Sequence, residues 1–396
     1  MGPATRSAAV RPPGRQAPSW TGEDEADGSR ASRLPPWLLQ TLLIYLGSRL
    51  LVAGAALGVA AVRPWRSMHI WDGVYYLSIA GHGYPTDLAT RMRGTPASSL
   101  GFFPGYPLLI RATGLLLGSH WGWAAYLVNV VLGAVVVCML RELVIRVVSV
   151  DAGAKAVWLY CLFPGTVCFS LPSSEPLAIS AALGAMLAVS SRRWVTAGLA
   201  AAAATMTRPN MLALVVALCV AAVLAVVRER DWRALTAPAL APFGILGFFA
   251  YLWVHTGDLQ AWQHAERRYW HQNLDWGVGL PHYLVRYLQP PWGPEFPNAF
   301  FLVIGGLVAL AGVIGLAQQR HVVPVPLLVF TAGVLVLCLA YSNFGPRVRF
   351  VATAFPLFMG LAARLPRRSF QVWCAISSVL LVTETVLVLA APHSYP

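Results

Sequence analysis

From Trp37 onward the chain is a succession of apolar runs broken by short polar stretches. The first run, Trp37 to Val62, would measure roughly 39 Å as a helix, more than the hydrocarbon core of a bilayer requires. Further runs near 121–140, 155–171, 176–190, 194–207, 209–227, 233–254, 299–317, 322–341, 350–364 and 370–391 repeat the pattern. Together they predict an all-α polytopic membrane protein with about 11 transmembrane helices. The stretch Tyr106 to Leu117 is apolar but short and contains Arg111. It predicts a helix lying at the membrane interface or entering it partway. Residues 1–36 differ, being rich in Pro, Arg, Ser and Gly with acids at Glu23, Asp24, Glu25 and Asp27. Nothing there can build a core, so a disordered tail is expected ahead of one membrane domain, 37–396. The tail lacks the basic-then-apolar layout of a signal peptide, and the first apolar run reads as a retained helix.

Composition sharpens this picture. The chain is 57% hydrophobic and 11% charged, with a net charge of +13. In a membrane protein such an excess belongs to the cytoplasmic loops and excludes nucleic acid as the implied partner. Alternating the runs from a cytoplasmic N-terminus puts Arg141, Arg146, Lys155, Arg192, Arg193, Arg228, Arg230, Arg233, Arg320, Arg364, Arg367 and Arg368 inside. Two large loops, 63–120 and 255–298, then lie outside together and can build one extracytoplasmic site. The six cysteines, at 138, 161, 168, 219, 338 and 374, fall in apolar runs without a CxxC pair. They read as small buried apolar residues rather than a metal or disulfide framework. No repeat relates the two halves, which weighs against a transporter built from inverted repeats.

The polar stretch Met68 to Pro107 carries the chemistry. It reads MHIWDGVYYLSIAGHGYP, a polar connector, then GFFPGYP. Asp72 sits among Trp71, Tyr75, Tyr76 and Tyr84, with Phe103 and Tyr106 closing the stretch. Aromatic faces suit sugar rings, and a carboxylate suits removal of a proton from a hydroxyl. The competing reading of Asp72 is a helix cap, since WDGVYYLSIA can begin a helix there. Transfer of a sugar from a phosphate-activated donor needs one base for the acceptor and cations for the departing phosphate. Arg208 in TMTRPN and Arg349 in FGPRVRF are the cation candidates, at the outer ends of runs; the bland alternative is a snorkelling anchor. Glu175 in LPSSEP opens a run behind Ser174, an arrangement that helix capping alone would explain. Arg49 lies inside the first run, where an unpaired charge is expensive, and Glu384 is its expected structural partner. His69 with His82 and Asp87 is a loose set for a divalent metal, and a metal site is not favoured. The loop AWQHAERRYWHQNLDW is expected to form an amphipathic interfacial helix with one face toward the site.

The run WDGVYYLSIAGHGYP followed by FFPGYPLL resembles the PIG-V-like integral-membrane mannosyltransferases of the GT-C glycosyltransferase superfamily, in a bacterial, actinobacterial-type form. FPGTVCFSLPSSEPL, TRPN and SNFGPRVRF…FPLF follow in the same order. The resemblance implies a GT-C architecture and an inverting transfer of a mannosyl residue from a polyprenyl-phosphate donor to a hydroxyl acceptor, without a cofactor. It implies Asp72 as the base, Glu175 as the acid of the family's Ser-Glu pair, and Arg208 with Asn210 as donor-phosphate or acceptor contacts. Tyr75 stands where eukaryotic relatives carry His, and Pro209 separates Arg208 from Asn210. Acceptor identity stays open among a glycolipid, a polysaccharide and a protein, with membrane lipids as surroundings. A GT-C transferase using another lipid-linked sugar, or a lipid-linked sugar flippase, are the alternatives.

Overall fold

The computed structural model describes residues 36–62, 71–86, 96–341 and 345–390. The expected tail, apart from Pro36, together with His69 and Asp87, lies outside the described residues. The described residues hold seventeen α-helices and no strand beyond an isolated bridge between Leu274 and Tyr341. In chain order they begin with α1 (Pro36–Val62), then α2 (Asp72–His82) and α3 (Gly105–Leu116) in the first loop. The bundle continues with α4 (Trp121–Val147), α5 (Val150–Leu162), α6 (Glu175–Ser190), α7 (Trp194–Thr205), α8 (Leu212–Glu229), α9 (Thr236–Leu240) and α10 (Phe243–Thr256). The second loop carries α11 (Ala261–Tyr269) and α12 (Leu280–Leu288). The chain closes with α13 (Phe296–Gln318), α14 (Val325–Ala340), α15 (Val348–Thr353), α16 (Pro356–Arg364) and α17 (Arg367–Ala390).

The protein is thus an all-helical, multi-pass membrane protein. Among the described residues, six helical segments are long and apolar enough to cross a bilayer, or seven if α5 and the following 3₁₀ turn Pro164–Ser170 count as one bent span. The sequence offered eleven runs, and the difference has a local cause. Phe163, ahead of Pro164, is extended (φ −63°, ψ 132°), as a residue before proline prefers, and the chain turns there by 75°. Pro356 likewise starts α16 after a break at Ala354, dividing the run 350–364 into two short helices. Helices α6, α7 and α14 are apolar but only 16, 12 and 16 residues long. The short stretch 106–117 forms α3, as expected.

Packing rests on small residues, because lipid gives helices little hydrophobic reason to associate. Helices α6 and α7 pack together, with Gly184 approaching Ala200, and each buries alanines: Ala178, Ala182 and Ala185 on α6, Ala197, Ala201 and Ala204 on α7. Gly315 of α13 lies directly against Gly360 of α16, at a separation that leaves no room for a Cβ. The cysteines only partly follow expectation: Cys161, Cys168 and Cys338 are buried, whereas Cys219 is exposed on α8. At one end of the bundle the two loops pack together. The 3₁₀ turn Ala97–Gly101 of the first loop sits on α11 of the second, and Leu100 and Phe103 join Phe248, Ala261 and Ala265 in one apolar cluster.

Candidate active site

Asp72 is the first residue of α2, following Trp71, whose φ is 48°. It is the first helical residue and not the N-cap, which is Trp71, whose side chain makes no capping bond. Asp72 Oδ2 accepts from Arg349 Nη1 at 2.7 Å. The helix start still favours its negative charge.

From that pair a chain of alternating charge runs inward. Arg349 Nε lies 3.7 Å from Glu175 Oε1, and Arg208 Nη1 lies 2.6 Å from the same oxygen. Arg208 Nη1 also donates to Ser174 Oγ at 3.0 Å, and Tyr76 Oη donates to that hydroxyl at 2.8 Å. Ser174 stands at the N-cap position of α6 but makes no capping bond; its side chain is committed to Arg208 and Tyr76. Helix capping is therefore not what Ser174 contributes. Both guanidiniums lie over the ring of Phe350, with centroid distances of 5.5 and 4.8 Å. Glu175 is 1% exposed, so its charge depends on the two arginines, while Asp72 at 23% is the open end of the chain. Arg208 Nε, Arg349 Nε and Asn210 Oδ1 are buried and have no hydrogen-bond partner among the described residues. A cavity opens on this row, lined by Trp71, Asp72, Leu171, Ser173 and Arg349.

The segment leading to Glu175 is held from below. Arg49 donates to the Thr166 carbonyl (2.7 Å), Ser170 Oγ (3.1 Å), Thr166 Oγ1 (3.2 Å) and the Cys161 carbonyl (3.4 Å). The expected Arg49–Glu384 pair does not form: the backbone of the 164–170 turn uses the guanidinium's forked donors, which one carboxylate could not match in number. Glu384 is fully buried, with no hydrogen-bond partner among the described residues. Asn129 of α4 donates to the Leu171 and Ser173 carbonyls, the latter at 2.9 Å, and Ser173 Oγ donates to Glu175 Oε2. A lone Asn inside an apolar run was the available sequence signal for this support.

The first-loop candidates divide. Tyr76 joins the charge chain, and Tyr75 is half-buried, stacked on Phe102 with centroids 4.8 Å apart. Tyr106 is wholly buried and accepts from the Ser173 N–H at 3.2 Å, which makes it a support rather than a surface. Tyr84 donates to the Phe102 carbonyl and packs on Phe248 and Tyr251, and Phe103 packs on Phe248. Both rings are absorbed by the α10 cluster rather than gathered around Asp72. His82 is exposed at the far end of α2, roughly 15 Å along the helix from Asp72, and is not brought to it. Among the described residues no group of three or more His, Cys, Asp or Glu is placed to hold a metal.

Glu266 belongs to the loop whose helix was expected to turn one face toward the site, and it lies on α11 within reach of the Asp72 charge. Burial, and next the charge of Asp72, push its carboxyl up to about 8. Its helix is clamped to the first loop by Trp262 Nε1, donating to the Gly101 carbonyl at 3.1 Å, and Trp270 Nε1, donating to Ser98 at 3.2 Å. The i, i+4 spacing of 262, 266 and 270 puts all three on one helical face, which was the legible signal.

No family model matches the chain, and no curated protein matches it. Among solved structures it is similar to ArnT from Cupriavidus metallidurans bound to undecaprenyl phosphate, at 17% identity and a TM-score of 0.53, over 82% of this chain and 61% of that one. It is also similar to the oligosaccharyltransferase AglB from Archaeoglobus fulgidus, solved with an inhibitory peptide and a dolichol-phosphate, at 14% identity and a TM-score of 0.45. That match covers 90% of this chain and 56% of that one. The chain spans about three-fifths of the length of ArnT. What it has in common with ArnT is the fold.

Proposed function

We propose that the protein is an inverting glycosyltransferase that moves a mannosyl residue from a polyprenyl-phosphate donor to a hydroxyl acceptor at the extracytoplasmic membrane face. The observation that carries this reading is the row Asp72–Arg349–Glu175–Arg208, drawn from four separated stretches and opening to a cavity at its acidic end. In the reaction the acceptor hydroxyl loses its proton to the Asp72 carboxylate, and its oxygen bonds the anomeric carbon from the face opposite the phosphate. The bond from that carbon to the phosphate oxygen breaks, and the electron pair leaves with polyprenyl phosphate. Arg208 and Arg349, whose buried Nε atoms have no hydrogen-bond partner among the described residues, take the phosphate charge that develops. Glu175 holds the two guanidiniums in register, and Asn210, two residues after Arg208, has a buried side-chain oxygen without a hydrogen-bond partner among the described residues. The GT-C-type fold shared with a protein solved with undecaprenyl phosphate supports the donor class. The choice of mannose rests on the first-loop motif.

Transfer of radiolabelled mannose from synthetic polyprenyl-phosphate mannose is measured in membranes carrying the wild type or Asp72→Asn. Loss of the base lowers turnover by at least about 10²-fold with the protein still inserted. Near-normal turnover by the variant would remove Asp72 from the base role. No transfer by the wild type from an intact donor would redirect the reading to another lipid-linked sugar, and then to the flippase.

A further inference from the structure

One carboxyl beside Asp72 has no part in the mechanism above. Glu266 lies on α11, between the two tryptophans that bolt this helix to the first loop. Its Oε1 rests against Gly101, so close that a Cβ there would lie 2.7 Å from it. A glycine is what lets the carboxyl come down onto the 97–101 turn. Around this spot three half-buried rings converge: Tyr75 stacks on Phe102, and Trp270 stands edge-on to both, with centroids at 5.1 and 5.4 Å. Two ring faces belong to the first loop and one to the second, so the surface exists only because the loops pack together.

We propose that Glu266 and the Tyr75–Phe102–Trp270 rings form an acceptor subsite for a pyranose, which makes the acceptor a carbohydrate, free or lipid-borne, rather than a protein side chain. This rests on the transferase reading. The chemistry is complementary on both sides. A pyranose presents an apolar C–H face to an aromatic ring and a rim of hydroxyls to a polar group. A neutral carboxyl both donates and accepts, so one group can bridge two neighbouring ring hydroxyls. Placed within reach of the charge on Asp72, such a subsite orients one acceptor hydroxyl toward the base. Holding the acceptor there converts a collision into a positioned attack.

The test is equilibrium binding of tritiated octyl α-D-mannopyranoside and octyl β-D-glucopyranoside to the full-length protein in lipid nanodiscs, with empty nanodiscs and 1-octanol as background. The wild type binds at least one glycoside saturably, Glu266→Ala weakens that binding about tenfold or more, and Glu266→Gln stays within about threefold because the amide keeps a donor and an acceptor. Wild-type strength in Glu266→Ala overturns the subsite, as does equal loss in Glu266→Gln, or the absence of saturable glycoside binding above 1-octanol. Binding requires neither donor nor base. The transferase reading therefore fails separately, through normal turnover by Asp72→Asn.

Discussion

Replacing Glu175 with Gln removes the negative charge that lies between two guanidiniums. Glu175 is 1% exposed, and its partners Arg208 and Arg349 are 12% and 15% exposed, so water screens little of the interaction. Removing one partner from a buried ion pair costs about 3–5 kcal/mol, since the other charge stays buried without compensation. Here Arg349 keeps Asp72 at 2.7 Å and Arg208 keeps Ser174 at 3.0 Å, which puts the cost at the low end, about 3 kcal/mol. Arg208→Met removes the opposite charge and leaves Glu175 with the Ser173 hydroxyl and with Arg349 at 3.7 Å; its cost is about 3–5 kcal/mol. If the two residues act through each other, the double variant is destabilised about as much as either single one. The coupling is then about 2 kcal/mol or more. The assay is reversible unfolding of the full chain in mixed micelles, followed by tryptophan fluorescence across a denaturing-detergent titration. Additivity within about 0.5 kcal/mol would refute the charge chain as an energetic unit.

Other consequences are equally direct. Arg49→Lys cannot replace a fork that serves two carbonyls and two hydroxyls, and should cost about 2–3 kcal/mol in the same unfolding assay; wild-type stability would show that the turn needs no such brace. Gly105→Ala drives a methyl into Thr207 and the Met206 carbonyl, to which the Gly105 N–H donates at 3.0 Å. A loss of about 1–3 kcal/mol is expected, and an unchanged melting profile would mean that FFPGYP and TRPN are not bolted together as described. Acceptor binding should also depend on pH with a definite sign. The Glu266 carboxyl is pushed up to about 8 by burial and the Asp72 charge; the 97–101 turn packed on it carries no ionisable side chain, and His255 of α10 is engaged with the Tyr84 carbonyl. Below that value the carboxyl is neutral and the binding is full; as pH rises through it the donor proton is lost and binding weakens. Glycoside binding titrations across this range check the sign, and Glu266→Gln should be flat.

The candidate site was half legible. Asp72, Glu175, Arg208 and Arg349 stood out because charges are rare in this chain and each sat beside a turn signal. Their assembly into one row of alternating sign was not legible, because it joins positions up to 277 residues apart. The expected role of Ser174 as a cap failed for the same reason: a local rule gave way to Arg208 and Tyr76, which arrive from elsewhere in the chain. Tyr84 and Phe103 read as a sugar cradle from their spacing, yet α10 takes both.

The apolar runs alone determined that the chain is a helical membrane protein, because a bilayer leaves the backbone no other way to satisfy its hydrogen bonds over such lengths. Only in three dimensions is it visible that runs which look continuous break into separate helices near the prolines at 164 and 356. The tertiary structure also decided which carboxylate is enclosed and which is open, and that the two loops meet through Trp262 and Trp270. Periodicity and composition report how each segment meets lipid or water. They carry no information about which distant polar group a buried charge will find, and that choice defines the site.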